Sequence, residues 1–363
     1  KLWIRSHRDL PLKLYQRGSV FRMDTKATRP LIRGREFIWI ECHDAFSTKA
    51  EAEAQVQEDI DTTEKVMHQI YGVPFLPMKR PEWDKFAGAE YTVGSDCFMP
   101  DGKLIQQPST HLMGQKFSKA FEATFKNKEE KEEYLWTTAY GPAVSRILAS
   151  VIATHGDDSG MILPYSISPI QVIIVPIFNL ENKDKILKKS REILEKLEKE
   201  NIKAEIDERE YKRPGEKYHI WELKGVPFRI ELGEKELKNN EILLFTRDTK
   251  KKEKLKITDL KKINSLGIEF DKRLKEKADR FMDNRIQPCS TKKEIKDALS
   301  SGKLAKINFC STDKSGIECA EIIEKEFSGD VRGTLANKNE KASGKCLFCG
   351  KTATKIVYIG RSY

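Results

Sequence analysis

FRMDTKATRPLIRGREFIWIECHDAFST, residues Phe21 to Thr48, is the stretch on which the reading of the whole chain turns. It reads as a strand, a basic loop and a second strand. The first arm carries Arg22 and Asp24. The second, Glu36-Phe37-Ile38-Trp39-Ile40-Glu41, alternates polar and apolar side chains as a half-buried strand does. Between the arms lie Lys26, Arg29, Arg33 and Arg35. Several guanidinium groups on a rigid hairpin suit a polyanionic ligand such as a triphosphate. Taken alone, the same residues also fit a solvated basic loop.

The wider composition bounds the answer. The 363 residues allow two or three domains with proper cores, and an apolar fraction of 39% is that of a globular protein. A net charge of +10 and pI near 9 suggest a phosphate-rich macromolecular partner. The 34% charged fraction, rich in Lys and Glu, hints at a heat-adapted source. No apolar run approaches the roughly 18 residues of a membrane span. The seven cysteines are not spread as in a secreted disulfide framework, since four fall beyond residue 309, so a reducing cytoplasm is expected.

Further elements follow in order. Thr48 and Glu51 form a capping-box pattern, and Val56, Ile60, Thr63, Met67 and Ile70 recur at helical spacing up to Gly72. Tyr91 to Met99 reads as a strand carrying Asp96. In IQQPSTHLMGQKFSKAFEATF (Ile105 to Phe125), Gln106, Ser109 and His111 cluster at a strand end. Tyr134 to Asp158 reads as strand, glycine turn and helix, with Arg146 in the first helical turn. Val172-Ile173-Ile174-Val175 is a β-branched run suited to a strand buried on both faces. Strands at 203–206, 228–232 and 242–247 with intervening helices predict a small α/β domain. Lys250 to Arg280 reads as a lysine-rich, solvated connecting helix. Near the end, Cys310-x8-Cys319 precedes Cys346-x2-Cys349, a zinc-knuckle half with a more widely spaced partner pair. Cys42, Cys97 and Cys289 are expected to be small core residues.

The segment 21–48, with SHRDLPLKLYQ before it and HDAFST closing it, resembles motif 2 of class II aminoacyl-tRNA synthetases, in the form found in the archaeal and eukaryotic prolyl branch. GPAVSR resembles motif 3 with one extra residue between Gly141 and Arg146. WELKGVPFRIELG (Trp221 to Gly233) resembles the anticodon-binding domain shared by prolyl, threonyl, histidyl and glycyl enzymes. The resemblance implies a multidomain α/β and α+β fold. Its parts are an antiparallel class II catalytic core (1–167), an α/β anticodon-binding domain (168–265), a connecting helix (266–289) and a small α+β zinc domain (290–363). The family's dimer-forming motif 1 and Thr-x-Glu loop precede SHRDLP and do not occur in this sequence, which is read as N-terminally truncated.

The resemblance also implies roles. Arg22 would hold the α-phosphate of ATP and Arg33, beside Gly34, the phosphate tail. Phe37 and Arg146 would sandwich the adenine, Gln106 and Ser109 would lie near the nucleotide, and Val144 or Ser145 would make a backbone contact to it. Mg²⁺ would bridge the phosphates, with Asp24 or Glu41 as candidate partners. Trp39, Glu41, His43 and His111 would wall the proline pocket, and Trp221, Glu222, Lys224 and Arg229 would read the anticodon. Cys310, Cys319, Cys346 and Cys349 would hold structural Zn²⁺, and the terminal Tyr363 would return towards the active site. The implied activity is ATP-dependent activation of L-proline and its transfer to tRNA(Pro) by a cytoplasmic homodimer, with no membrane partner. Alanine and cysteine are the expected misactivated substrates, because a small apolar pocket discriminates by only about 1–3 kcal/mol per methylene. The alternative is a non-catalytic RNA-binding relative that kept the fold. Loss of the motif arginines would favour it, and Arg22 and Arg146 are both present.

Overall fold

The central hairpin forms as its alternation requires. The computed structural model describes residues 2–23 and 27–363; Asp24, a candidate metal partner, and Lys26 of the basic loop lie outside the described residues. Strand β1 (Leu12–Phe21) pairs antiparallel with β2 (Glu36–Phe46), in register from Leu12 opposite Ala45 to Phe21 opposite Glu36. Helix α1 (Lys49–Thr63) follows directly. Thr48 and Glu51 close both bonds of the capping box, Glu51 N to Thr48 Oγ1 at 3.3 Å and Thr48 N to Glu51 Oε2 at 3.0 Å. The helical stripe does not run unchanged to Gly72. After Thr63 the chain widens into a π-helical segment, Glu64–Ile70, in which Met67 is buried and Ile70 is exposed.

Four more strands complete the catalytic half: β3 (Leu76–Lys79), β4 (Tyr91–Phe98), β5 (Leu104–Gly114) and β6 (Trp136–Gly141). Their order is β1-β2-β6-β5-β4-β3, and every neighbouring pair is antiparallel. One face of this sheet packs on α1 through Phe46, Leu112, Ala52 and Val56. Helix α2 (Val144–His155) starts after β6.

The sheet does not stop at β3. Strand Asp330–Leu335 pairs with β3, Thr334 opposite Lys79 and Leu335 opposite Met78. Lys355–Gly360, Leu304–Phe309 and Ile286–Pro288 follow, which makes ten strands in all. The sequence reading sets 290–363 apart as its own domain. In the structure Lys1–His68, Pro74–Ser150 and Arg280–Tyr363 are one unit. Leu76, Met78 and Leu104 share a core with Leu304, Leu335 and Tyr358, and pairing between strands some 250 residues apart leaves no local sequence signal.

The second unit comprises Gln69–Val73 and Val151–Asp279. Its five-stranded sheet runs Ala204–Ile206, Val172–Pro176, Phe228–Leu232, Glu241–Thr246, Lys251–Lys256. Val172–Pro176 is parallel to both of its neighbours and buried throughout. Val172 and Ile174 pack with Ile186, Ile193 and Phe270, whereas Ile173 and Val175 pack with Trp221 and Val226, the period-2 division of a two-faced strand. The lysine-rich stretch after 250 differs from its reading as a helix. Lys251–Lys256 is an edge strand whose lysines keep that edge from pairing further. The helix that follows, Lys262–Asp283, is not a solvated connector, since it buries Ile263, Phe270, Leu274 and Ala278.

Candidate active site

Period-2 alternation decides which residues face the site. Phe37, Trp39, Glu41 and His43 share one face of β2, opposite in parity to Phe46, which packs towards α1. Register extends that face across the sheet: His43 lies opposite Ala139 on β6, Ala139 opposite His111 on β5, and His111 opposite Thr92 on β4. The four side chains assigned to the amino-acid pocket therefore share the sheet face away from α1.

His111 is held as a neutral ring. Its Nδ1 lies 2.8 Å from Thr92 Oγ1 and its Nε2 3.1 Å from Ser109 Oγ, and the Phe86 ring stands 5.0 Å away. Burial pushes its pKa down to about 4, against an opposing pull from Glu41. At neutral pH the site thus presents an uncharged imidazole beside a carboxylate. Glu41 accepts from Gln16 Nε2 at 3.1 Å and faces His43 Nε2 at 3.2 Å, while His43 itself is largely exposed. Trp39 meets Phe37 edge to face with centroids 6.0 Å apart. Thr92 and Phe86 escaped the sequence reading; only the pairing of β4 with β5 reveals them.

Three arginines converge at the neighbouring end of this face. Arg22 stands 5.1 Å over the Phe37 ring. Arg146, half-buried, donates from Nη1 to the Gln106 carbonyl at 2.9 Å and from Nε to the Ile32 carbonyl at 3.2 Å. Burial, and then the charges of Arg22 and Arg33, lower its hold on its proton. Among the described residues no carboxylate is paired with any of the three. Like charges gathered without a counter-ion disfavour the empty arrangement and favour an anion. Arg33 exchanges both backbone hydrogen bonds with Arg29 at 2.9 Å, closing the loop next to Gly34. Within GPAVSR, the Pro142 carbonyl accepts from Ile40 N at 3.0 Å and Ala143 bridges to Trp39. Val144 is left partly exposed at the helix start. Gln106 is less free than its reading as a nucleotide neighbour implies, because its Oε1 accepts from Arg80 at 2.9 Å.

The chain end is docked. Tyr363 donates its hydroxyl to Asp101 Oδ2 at 2.8 Å and its N–H to the Leu104 carbonyl at 3.3 Å, both at the β4–β5 turn. The Arg29 guanidinium lies 4.8 Å from its ring centroid and Lys103 Nζ 5.0 Å. The tail therefore touches the tip of the basic loop. In the same unit the Sγ atoms of Cys310, Cys319, Cys346 and Cys349 lie within 4.8 Å of one another, three of the four residues buried, an arrangement compatible with a zinc site. Cys97 and Cys289 are buried as small core residues, whereas Cys42 is only half-buried.

The anticodon candidates divide differently. Trp221 is buried and donates Nε1 to Asp207 Oδ2 at 2.8 Å. Arg229 is also buried, paired with Glu222 at 2.7 Å and Glu231 at 2.9 Å and flanked by the Tyr218 and Phe245 rings. These three side chains thus have partners within the domain. Lys224 is exposed, 4.5 Å above the Trp221 ring, and Glu222 is part-exposed.

Comparison with known proteins agrees with this geometry. Residues 1–155 match the class II tRNA synthetase core domain (G, H, P, S and T), 171–264 the anticodon binding domain, and 292–363 the prolyl-tRNA synthetase C-terminal domain. The proline--tRNA ligase of Thermofilum pendens is 46% identical over 99% of this chain and 74% of its own length. The chain belongs to the prolyl-tRNA synthetases. The corresponding ligase of Methanocaldococcus jannaschii is 41% identical over 97% of this chain and 76% of its own. Among solved structures, Giardia lamblia prolyl-tRNA synthetase in complex with prolyl-adenylate superposes with a TM-score of 0.95 at 33% identity, covering 100% of this chain and 76% of that one. The Cryptosporidium parvum enzyme complexed with L-proline and AMP gives 0.93 at 34%, covering 100% and 75%. The chain thus spans about three quarters of the length of these synthetases.

Proposed function

We propose that this synthetase activates L-proline with ATP to prolyl-adenylate and transfers the prolyl group to tRNA(Pro). The observation that carries the reading is the triad Arg22, Arg33 and Arg146, unneutralised among the described residues, beside the aromatic and carboxylate face of β2. Activation is an in-line displacement in which the proline carboxylate attacks the α-phosphorus and pyrophosphate leaves. Such a step needs positioning and charge stabilisation, with no protein nucleophile. Arg22 would meet the α-phosphate and Arg33 the tail, with Gly34 and Ser109 at the edges of the nucleotide site and Val144 offering backbone. Phe37 would stack the base, with Arg146 on its other side. Mg²⁺ would join ATP at the phosphates, with Glu41 within the same face. Proline would sit among Trp39, Glu41, His43 and His111, where the neutral imidazole adds no competing charge for its ammonium group.

Tyr363 would steady the basic loop through Arg29. Zn²⁺ would be held by the four thiolates as a closed structural site, since four sulfur ligands leave no position for water. Burial beside Cys346 pushes the Cys310 thiol up to about 11, a cost that a divalent cation offsets. Lys224 would touch the tRNA. No helix of the described residues is long and apolar enough to cross a membrane; a cytoplasmic homodimer is the proposed working form.

The test is ATP–pyrophosphate exchange across a panel of amino acids. Proline should dominate, with alanine and cysteine the strongest of the rest. Preference for any other amino acid, or no exchange at all, would overturn the reading.

A further inference from the structure

A second arginine cluster lies inside the same sheet. Asp96 on β4 is fully buried and takes two bonds from each of two arginines. Arg80 reaches it at 2.6 and 2.8 Å, and Arg332 at 2.9 and 3.1 Å. Arg332 comes from Asp330–Leu335, the strand that joins the terminal module to β3. Arg80 also donates to the Arg332 carbonyl at 3.0 Å and to Gln106 Oε1 at 2.9 Å. Both guanidiniums hold the Asp96 carboxyl well below the usual carboxylate range. Room for the cluster comes from two glycines. A Cβ at Gly94 would overlap the Arg80 guanidinium, and one at Gly333, which has φ +118°, would overlap the Lys79 carbonyl.

Apolar side chains would join two strands at lower cost than three buried charges. The cluster does something that they could not, because it fixes an amide. With Oε1 of Gln106 committed to Arg80, its Nε2 is the free end, and that nitrogen has no partner among the described residues. The backbone carbonyl of the same residue holds Arg146 at 2.9 Å. Pairing between β4 and β5 slips at this point, from Gly94 opposite Ser109 to Asp96 opposite Gln106, the kind of irregularity that re-aims a side chain. Hydrogen bonds therefore link Arg332, Asp96, Arg80 and the Gln106 side chain, next to the backbone carbonyl that holds Arg146.

We propose that Arg332 is a positioning residue for the activation step, acting through Asp96 and Arg80 to set the Gln106 side chain. The terminal module then takes part in adenylate formation through its first contact with the catalytic strands. This rests on the proline-activation reading, which exchange by the parent enzyme tests independently.

The experiment is a double-mutant cycle in pyrophosphate exchange on the full-length enzyme, with melting temperatures alongside. Arg332→Met should lower kcat about tenfold in the parent, within the range of coupled neighbours, and shift the KM for proline by less than about threefold. In a Gln106→Ala background the same change should cost less than about twofold, because the arm it aims is already gone. Arg332→Lys, which keeps the charge and loses the planar fork, should fall between the two and supplies the cycle if the Met variant does not fold. An equal fractional loss in both backgrounds, or no loss in either, would overturn the proposal.

Discussion

Arg146, half-buried, and Arg229, buried, both lie on motifs that the sequence marks as functional, yet their surroundings are opposite. Arg229 is boxed by Glu222 and Glu231 and sandwiched between two rings, so its charge is neutralised within the fold. Among the described residues the Arg146 guanidinium is held by carbonyl oxygens, and its charged neighbours Arg22 and Arg33 repel it. The difference separates an arginine that builds from one left without a carboxylate partner among the described residues. Burial alone does not; the counter-ion does. The four thiols near the chain end resemble the second case, as like ligands gathered within 4.8 Å of one another. Asp96, with its two arginines, falls on the building side.

The comparison can be broken at several points. If the thiols await a cation, the purified protein should carry about one zinc, and Cys349→Ser should release it and unfold the terminal module, given the roughly 10–16 kcal/mol that structural zinc contributes in small domains. A stable, metal-free module would end that parallel. If Arg229 builds, Arg229→Met should destabilise by about 3–5 kcal/mol, the scale for leaving buried carboxylates without their partner, seen as a lowered denaturation midpoint. A variant with parental stability and weakened tRNA binding would return Arg229 to the anticodon surface. Deleting Tyr363 removes one ring from Arg29 and should slow exchange by about threefold to tenfold, near the ~1 kcal/mol of a cation–π contact, leaving zinc content unchanged. Unaltered exchange would make the tail a passive end.

Much of this was legible in the sequence because it is local. Alternation over Glu36–Glu41 sets the face of β2, and the capping pair Thr48 and Glu51 sets the start of α1. The four cysteines were readable as a set despite their uneven spacing. What stayed hidden depends on long-range pairing. Nothing near Asp96 announces Arg332, 236 residues away, and the strand pair that fuses the terminal module to the catalytic sheet is equally non-local. The partners of the anticodon candidates were hidden as well: only the fold brings Trp221 to Asp207 and Arg229 to Glu222 and Glu231. Lys251–Lys256 was misread because six lysine-rich residues fit an exposed edge strand as well as a helix face.

The most direct measurement sets Arg146→Ala and Arg22→Ala against the parent in proline-dependent ATP–pyrophosphate exchange, with the melting temperature of each. An arginine held without a counter-ion for a ligand's charge should cost activity and spare the fold. Exchange should fall by about a hundredfold or more, the scale of losing one preorganised charge donor, with melting unchanged or slightly raised as repulsion is relieved. Exchange within a few-fold of the parent, or a loss that tracks unfolding, would contradict the account.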